Sequence, residues 1–207
     1  MNTHRKIQII ALFKGTEIDY ITFCILCQGK CKKGGSLMKK QLRVIELFGG
    51  IGACSKALER LGIEHEIVDY VEIDKYAVKS FNAIHNTNFE PQDITTWDKD
   101  IEVDLICGGF PCQDISLAGQ QKGIIKGETR SGLMYEMMRI IHKLKPKYVI
   151  AENVKNILSD RFRPQLEEYL CFLNDNGYKV TMDILNAKDF NIPQNRERIF
   201  IIGVRDE

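Results

Sequence analysis

A regular alternation of short apolar runs and amphipathic segments, which begins after Met38, most constrains the fold of this chain. Four apolar runs fit buried strands: 44–48, 66–73, 103–107 and 148–152. The amphipathic segments fit helices: 55–61, 75–85, 132–144 and 164–175. Because helices separate the strands, we expect an α/β fold with a mostly parallel sheet in a three-layer sandwich. The last two runs, 178–185 and 198–204, lack an intervening helix and predict an antiparallel edge pair.

The composition is that of one globular domain rather than a fibrous or disordered chain. Of the 207 residues, 44% are hydrophobic, and 29 Lys and Arg residues nearly balance 28 Asp and Glu residues. No apolar run approaches the roughly 20 residues of a membrane helix, and residues 1–13 lack the features of a signal peptide. Seven scattered cysteines, an odd number, indicate free thiols in a reducing cytoplasm.

Residues 1–37 differ from the rest because they carry no sustained helical or strand periodicity. Lys33-Gly34-Gly35 can be encoded by a purine-rich stretch that resembles a bacterial ribosome-binding site, two codons before Met38. We therefore interpret residues 1–37 as an irregular extension that is not translated natively, and residues 38–207 as the folded domain. The extension contains three cysteines without a fourth nearby ligand, so we predict no zinc site from Cys24, Cys27 and Cys31.

Glycines and acids follow the first two strands, where ligands gather in folds of this class. Gly50 and Gly52 allow a tight turn and a close approach to a ligand, although Ser55 replaces the third glycine of a dinucleotide motif. Glu72 is placed to accept hydrogen bonds from ribose hydroxyls, and Asp93 to accept one from an adenine amino group. The pattern predicts an adenosine-bearing cofactor without separating a dinucleotide from S-adenosylmethionine. Structural glycines and surface acids are the alternative.

A cysteine and a glutamate follow the next two strands. Cys112 comes directly after Pro111 on a glycine-containing loop, so we expect an exposed thiol that nearby cations or backbone amides can activate. Glu152 emerges from an apolar strand and should be protonated or paired with a hydrogen-bond donor. No histidine is expected near Cys112, which disfavours a cysteine protease. Cys107 and Cys171 lie within apolar runs and are expected to be small buried residues.

Two arginines precede the last strand. Arg196 and Arg198 are spaced i, i+2, so on a strand their side chains point to the same face. Facing an anion site, they can hold a phosphate or a ring carbonyl. A solvated, salt-bridged strand edge is the alternative.

The ordered set of these residues resembles the catalytic domain of cytosine-5 DNA methyltransferases over residues 43–204. Six stretches carry the resemblance: 46–53, 72–77, 93–94, 109–116, 152–154 and 194–198. The most specific part is Phe110-Pro111-Cys112-Gln113 followed by Ser116, and then by residues 118–119 and 130–133. Individually several of these motifs are weak, but as an ordered set they match no competing family.

This resemblance implies a Rossmann-like, S-adenosylmethionine-dependent methyltransferase fold and covalent catalysis without a metal. Cys112 would add to carbon 6 of a cytosine flipped out of the DNA helix, and Glu152 would favour protonation of ring nitrogen 3. Carbon 5 would take the methyl group of S-adenosylmethionine, and loss of its proton would expel the thiolate. Arg196 would touch the cytosine carbonyl, and Arg198 would support Glu152 and the Cys112 loop.

The resemblance also implies contacts to the cofactor and the substrate. The cofactor contacts would be Phe48, Gly50, Gly52, Glu72, Ile73, Asp93, Ile94, Pro111 and Leu133. The substrate contacts would be Gln113, Ser116 and Gln194. Residues 113–131 would form a mobile loop that closes over the flipped base.

The family normally continues past the last strand with a target-recognition region and a C-terminal segment, whereas this sequence ends at Glu207. We therefore expect residues 38–207 to be a catalytic domain that lacks both parts, in a truncated enzyme or one half of a split enzyme. The expected partners are double-stranded DNA and a second polypeptide that carries the target-recognition region, with no membrane. The expected setting is restriction-modification in the cytoplasm of a bacterium or a phage-infected host.

Three other functions stay open at the level of the sequence. A tRNA cytosine-5 methyltransferase of the same family would place the methyl group in RNA instead of DNA. A noncatalytic binding module would keep the fold, but intact Cys112, Glu152, Arg196 and Arg198 count against decay of the site. A nucleotide-dependent oxidoreductase would bind NAD, and binding of S-adenosylmethionine alone would exclude it.

Overall fold

Six strands and four α-helices alternate along the residues that this computed structural model describes, 41–111 and 130–205. The strands are β1 (Leu42–Leu47), β2 (His65–Val71), β3 (Leu105–Gly108), β4 (Tyr148–Val154), β5 (Tyr178–Asn186) and β6 (Glu197–Arg205). The α-helices are α1 (Ala53–Arg60), α2 (Lys75–His85), α3 (Met134–Leu144) and α4 (Arg163–Asp175). Short 3-10 helices occupy Arg130–Leu133, Lys155–Leu158 and Ala187–Phe190. The predicted strand and helix pattern is confirmed.

Some of the residues singled out in the sequence lie outside the described ranges. They are Cys112, Gln113 and Ser116, most of the predicted 113–131 loop, and the three cysteines of the N-terminal extension.

The sheet has the strand order β2-β1-β3-β4-β6-β5. The pairs β1–β2, β1–β3 and β3–β4 are parallel, whereas β6 runs antiparallel to both β4 and β5. The predicted antiparallel edge pair is confirmed, with β5 as the outer strand and β6 inside it. The reason is polarity: β6 carries the buried Ile199, Ile201 and Ile202, while most of β5 is exposed.

Helices cover both faces of the sheet, which confirms the three-layer architecture. On one face, buried residues of α3 and α4 such as Met137 and Tyr169 pack against Leu47, Ile106 and Val149 of the strands. On the other face, α1 packs through Leu58 against β1 and β3, and α2 packs through Phe81 against Tyr70 of β2. The carboxyl ends of the parallel strands lie at one edge of the sheet, between the two helix layers. Ligands bind at this edge in folds of this class.

The cysteines depart from the sequence-based expectation in two places. Cys54 of α1 and Cys107 of β3 form a disulfide with a Cα–Cα distance of 6.7 Å, so the expectation of free thiols is wrong for this pair. The two residues are 53 positions apart and meet because α1 packs on β3. Cys107 is buried, as predicted, but Cys171 is exposed because α4 buries Leu166, Tyr169 and Leu173 on its other side.

Candidate active site

The carboxyl ends of β1, β3 and β4 meet at one edge of the sheet. Leu47 of β1 pairs with Gly108 of β3, and Gly108 pairs with Ala151 of β4. A cavity of about 710 Å³ opens at this edge. Its described lining includes Phe48, Gly52, Gly109, Glu152, Arg196 and Arg198. The cavity therefore brings the glycine turn after β1 together with the predicted acid and both arginines.

The turn after β1 has a left-handed backbone at Phe48, Gly50 and Gly52, with φ values of 55°, 55° and 84°. Gly50 donates its backbone N–H to Glu72 Oε2 at 3.2 Å and accepts the Tyr70 hydroxyl at 2.6 Å. No atom lies within 4 Å of the position a Cβ would take on Gly50, so the turn is open there. The turn thus has free space beside Gly50 and is held in place by hydrogen bonds to Glu72 and Tyr70, as close approach to a ligand requires.

A buried carboxylate fixes the start of α1. Gly52 is the N-cap residue and supplies no side chain, but Glu46 of β1 accepts hydrogen bonds from the backbone N–H and the hydroxyl of Ser55. Burial raises the pKa of Glu46 above its ordinary value despite these bonds. Sequence reasoning missed this role, because a cap normally comes from the residue next to the helix and not from the preceding strand.

The acids predicted to hold an adenosine lie beyond the glycine turn, at the end of β2 and after α2. Glu72 accepts the backbone N–H of Gly50 and, through its other oxygen, that of Asp74 at 3.0 Å. Asp93 is exposed, and Ile73 is 67% exposed. Ile94, in contrast, is buried in the core. The backbone N–H of Gln92 donates to the carbonyl of Glu72 at 2.8 Å. This hydrogen bond connects the chain segment of Glu72 to the segment of Asp93.

Glu152 lies at the end of β4 in an ion pair. Arg198 Nε donates to Glu152 Oε1 at 2.9 Å. Burial raises the pKa of Glu152, and this effect exceeds the lowering by the positive charges of Arg198 and Arg196. Gly109 leaves room beside it, because a Cβ there would lie only 3.0 Å from Glu152 Oε2. A carboxyl group whose pKa is raised and whose position is fixed by an arginine is suited to general acid–base chemistry.

The loop that leads to Cys112 is anchored up to its last described residue, Pro111. Phe110 is buried, with its ring centroid 6.2 Å from that of Tyr169. The buried Asn153 donates its side-chain N–H to the carbonyl of Phe110 at 3.2 Å. Asn153, the chain neighbour of Glu152, therefore fixes the backbone of Phe110, the residue two positions before Cys112 in the sequence. Asn153 was part of a recognised stretch, but its anchoring role could not be predicted from the sequence.

Asn186 at the end of β5 holds the segment that carries Arg196. Its side-chain oxygen accepts the backbone N–H of Arg196 at 3.1 Å, and its side-chain N–H donates to Asn195 at 2.7 Å. The Arg196 side chain is exposed, and so is Gln194. Arg198 forms a salt bridge with Glu152, as in the alternative of a salt-bridged strand edge, but the pair is only partly exposed to solvent.

The predicted site residues thus form two groups in the described part of the chain. One group lines the cavity and includes Phe48, Gly52, Glu152, Arg196 and Arg198. The second group does not line it, although its member Glu72 accepts a hydrogen bond from Gly50 of the glycine turn: Glu72, Ile73, Asp93 and Ile94. Leu133 is also outside the cavity lining and packs on the core at the start of α3.

Two features are absent from residues 41–111 and 130–205. No group of three or more His, Cys, Asp or Glu side chains is arranged there to hold a metal ion. None of the helices found there combines the length and apolar character needed to cross a membrane.

Comparison with known proteins gives this arrangement a family. The sequence model of the C-5 cytosine-specific DNA methylase family matches residues 42–207, which is most of the chain. The chain belongs to this family. The match includes all of β1 to β6 and every residue of the cavity described above.

Curated relatives and a solved structure agree with that assignment. The orphan methyltransferase M.Rho11sI of Bacillus phage rho11s is 42% identical over 171 residues, covering 81% of this chain and 34% of that protein. The type II methyltransferase M.HhaI of Haemophilus parahaemolyticus is 39% identical, covering 80% and 50%. The structure of the Dnmt2 methyltransferase of S. pombe matches with a TM-score of 0.64 and 25% identity, covering 81% and 50%. The chain therefore spans between a third and a half of these proteins' lengths.

Proposed function

We propose that this chain is the catalytic part of an S-adenosylmethionine-dependent DNA (cytosine-5-)-methyltransferase. The observation that carries the proposal is the Glu152–Arg198 pair, set against Gly109 in a cavity that also contains the glycine turn. The Glu152–Arg198 pair is suited to acid assistance to a heterocyclic base. The glycine turn is suited to a nucleoside-bearing methyl donor. The family assignment supports their combination.

The described residues fit S-adenosylmethionine. The glycine turn exposes its backbone at Gly50, and the carboxylates of Glu72 and Asp93 are suited to ribose hydroxyls and an adenine amino group. We assign the remaining contacts, as the resemblance implies, to Phe48, Gly52, Ile73, Ile94, Pro111 and Leu133. When bound, S-adenosylmethionine supplies one electrophilic methyl group, which ends on carbon 5 of cytosine.

The protein's own residues prepare cytosine to accept that group. The Cys112 thiolate forms a bond to ring carbon 6 while Glu152, whose pKa is raised by burial, supplies a proton to ring nitrogen 3. The ring is then an enamine that is nucleophilic at carbon 5. After methylation, a water molecule takes the carbon 5 proton, the thiolate is expelled, and nitrogen 3 returns its proton to Glu152, which restores the ring. Arg198 keeps Glu152 in position, and Arg196 faces the same cavity to contact the cytosine carbonyl.

The substrate we propose is double-stranded DNA, with the target cytosine flipped out of the helix. The family description and the names of the phage and bacterial relatives favour DNA over RNA. We assign Gln113, Ser116 and Gln194 to substrate contacts, and residues 38–207 to the catalytic domain. We also propose that a second polypeptide supplies the target-recognition region. The location we propose is the cytoplasm of a bacterium or of a phage-infected host.

Methylation of plasmid DNA tests the proposal. The chain is expressed alone and together with the product of the adjacent reading frame, and 5-methylcytosine is measured by mass spectrometry. We expect 5-methylcytosine in DNA, its loss in Cys112→Ser, and its retention in the matched control Cys171→Ser on the exposed side of α4. Methyl groups in RNA alone would identify an RNA enzyme, and activity retained by Cys112→Ser would refute the nucleophile.

A further inference from the structure

One buried carboxylate holds the chain segment that contains Asp93. Asp69 of β2 is only 2% exposed and accepts four hydrogen bonds. Its Oδ1 accepts the backbone N–H of Tyr70 at 2.9 Å and Gln92 Nε2 at 2.7 Å. Its Oδ2 accepts Trp97 Nε1 and Lys99 Nζ, both at 2.8 Å. Three of the four donors belong to residues 92–99, which we call the 92–99 segment.

This use of a carboxylate is costly unless it fixes a geometry. Burying a charged group is unfavourable, and an apolar side chain could occupy the same position beside Trp97 and Ile94 without that penalty. Each carboxylate oxygen of Asp69 instead accepts two hydrogen bonds. These bonds restrict the conformations of the side chains that donate them. The network therefore favours one position of the segment over other packed arrangements.

Further contacts hold the backbone on both sides of Asp93. The N–H of Gln92 donates to the Glu72 carbonyl at 2.8 Å, and Arg139 Nη2 donates to the carbonyls of Ile94 and Trp97 at 3.0 and 2.8 Å. The Asp93 side chain is itself oriented, because its Oδ1 accepts the backbone N–H and the hydroxyl of Thr95. The position of the Asp93 carboxylate is thus set by the position of the segment.

We propose that Asp69 is a positioning residue for cofactor recognition: it fixes the 92–99 segment so that Asp93 meets the adenine amino group. This inference rests on the proposed function, in which the chain binds S-adenosylmethionine. Asp69 does not touch the cofactor in this scheme. Its effect is on selectivity for adenine, which a residue that only stabilises the fold would not change.

The substitution Asp69→Asn tests the role with little change in shape. An amide has one acceptor oxygen and one N–H₂ donor, so in either orientation a donor faces two donors of the network. Asp100→Asn is the matched control, since Asp100 is an exposed aspartate at the end of the same stretch. Binding of S-adenosylhomocysteine and of S-inosylhomocysteine, which has a carbonyl in place of the adenine amino group, is measured by calorimetry with the full chain.

We expect the unaltered chain and Asp100→Asn to bind S-adenosylhomocysteine about tenfold or more tightly than the inosyl analogue, the effect of one hydrogen bond to a charged group. In Asp69→Asn this ratio should fall to about threefold or less. The chain contains one tryptophan, Trp97, so its emission reports the network directly. Loss of the bond to Asp69 should shift that emission to longer wavelength.

Each other outcome overturns the inference in a distinguishable way. An unchanged ratio in Asp69→Asn removes the positioning role and leaves the proposed function intact, and so does an unaltered chain that binds both analogues equally. An unaltered chain that binds neither analogue refutes the cofactor proposal together with this role. If Asp69→Asn does not fold, Lys99→Met provides the test, because Lys99 is half-exposed and donates to Asp69. We expect its ratio of affinities for the adenosyl and inosyl analogues to fall about threefold, and an unchanged ratio would refute the role of Asp69.

Discussion

The glycine turn offers a matched pair of substitutions whose effects on stability should differ. Gly50 and Gly52 both have a left-handed backbone, with φ of 55° and 84°. A Cβ on Gly50 would meet no atom within 4 Å, whereas one on Gly52 would lie 2.7 Å from Phe81 Cε2 and would also collide with His85. Gly50→Ala therefore changes only the backbone preference, and Gly52→Ala adds overpacking.

The magnitudes follow from these two causes. The left-handed backbone costs an alanine about 1–2 kcal/mol relative to glycine, and this applies to both variants. Overpacking of a tight site typically costs about 1–3 kcal/mol more, and it applies to Gly52→Ala alone. Part of the collision can be relieved, because His85 is only partly buried, but Phe81 is stacked on Tyr70 with a centroid distance of 3.8 Å.

Urea unfolding followed by circular dichroism measures the difference. We expect Gly52→Ala to lose about 1–3 kcal/mol more free energy of unfolding than Gly50→Ala. Gly62→Ala provides a second control, because Gly62 has a φ of 64° and equal space but lies outside the site. Equal losses in Gly50→Ala and Gly52→Ala would refute the packing of His85 and Phe81 against the turn.

Three further predictions concern charge and hydrogen bonds at the site. Burial raises the pKa of Glu46, so the carboxyl lowers stability increasingly as the pH rises above the ordinary glutamate pKa of about 4. In thermal unfolding, the stability of Glu46→Gln relative to the unaltered chain should therefore increase with pH above that value, and a constant difference would contradict this prediction. Arg198→Met should raise the pKa of Glu152 further, because it removes the positive charge that pairs with this carboxyl group. An NMR titration of the Glu152 carboxyl carbon measures this pKa, and the same midpoint in both proteins would contradict the prediction. Tyr70→Phe removes the hydroxyl that donates to Gly50 and should weaken binding of S-adenosylhomocysteine about fivefold by calorimetry, whereas unchanged affinity would show that the bond does not support the turn.

Local signals explain why the sequence predicts the elements of this fold well. The predicted helix 75–85 has the same bounds in the structure, because Asp74 caps it through the N–H groups of Tyr76 and Ala77 and Asn86 ends it in a left-handed conformation. Strand order is different, because it depends on contacts between distant segments. The placement of β6 between β4 and β5 follows from the relative burial of whole strands, which no local pattern shows.

The candidate site also has residues that could be predicted from the sequence and residues that could not. Glu152 and Arg198 come together as a direct consequence of β4 pairing with β6, where Glu152 is opposite Phe200. Asp69 and Glu46 could not be identified as buried, since a charged residue in a strand usually faces solvent. Their roles depend on donors that are far away in the sequence, such as Trp97 for Asp69.

The covalent step is the centre of this account, and trapping it is the most direct test. A DNA duplex that contains 5-fluorocytosine is incubated with S-adenosylmethionine and the chain, alone and with the product of the adjacent reading frame. Because fluorine at carbon 5 cannot leave as a proton does, the thiolate cannot be expelled, and we predict a denaturation-resistant adduct that peptide mass spectrometry locates at Cys112. No adduct in either mixture, or an adduct at another residue, would contradict the mechanism.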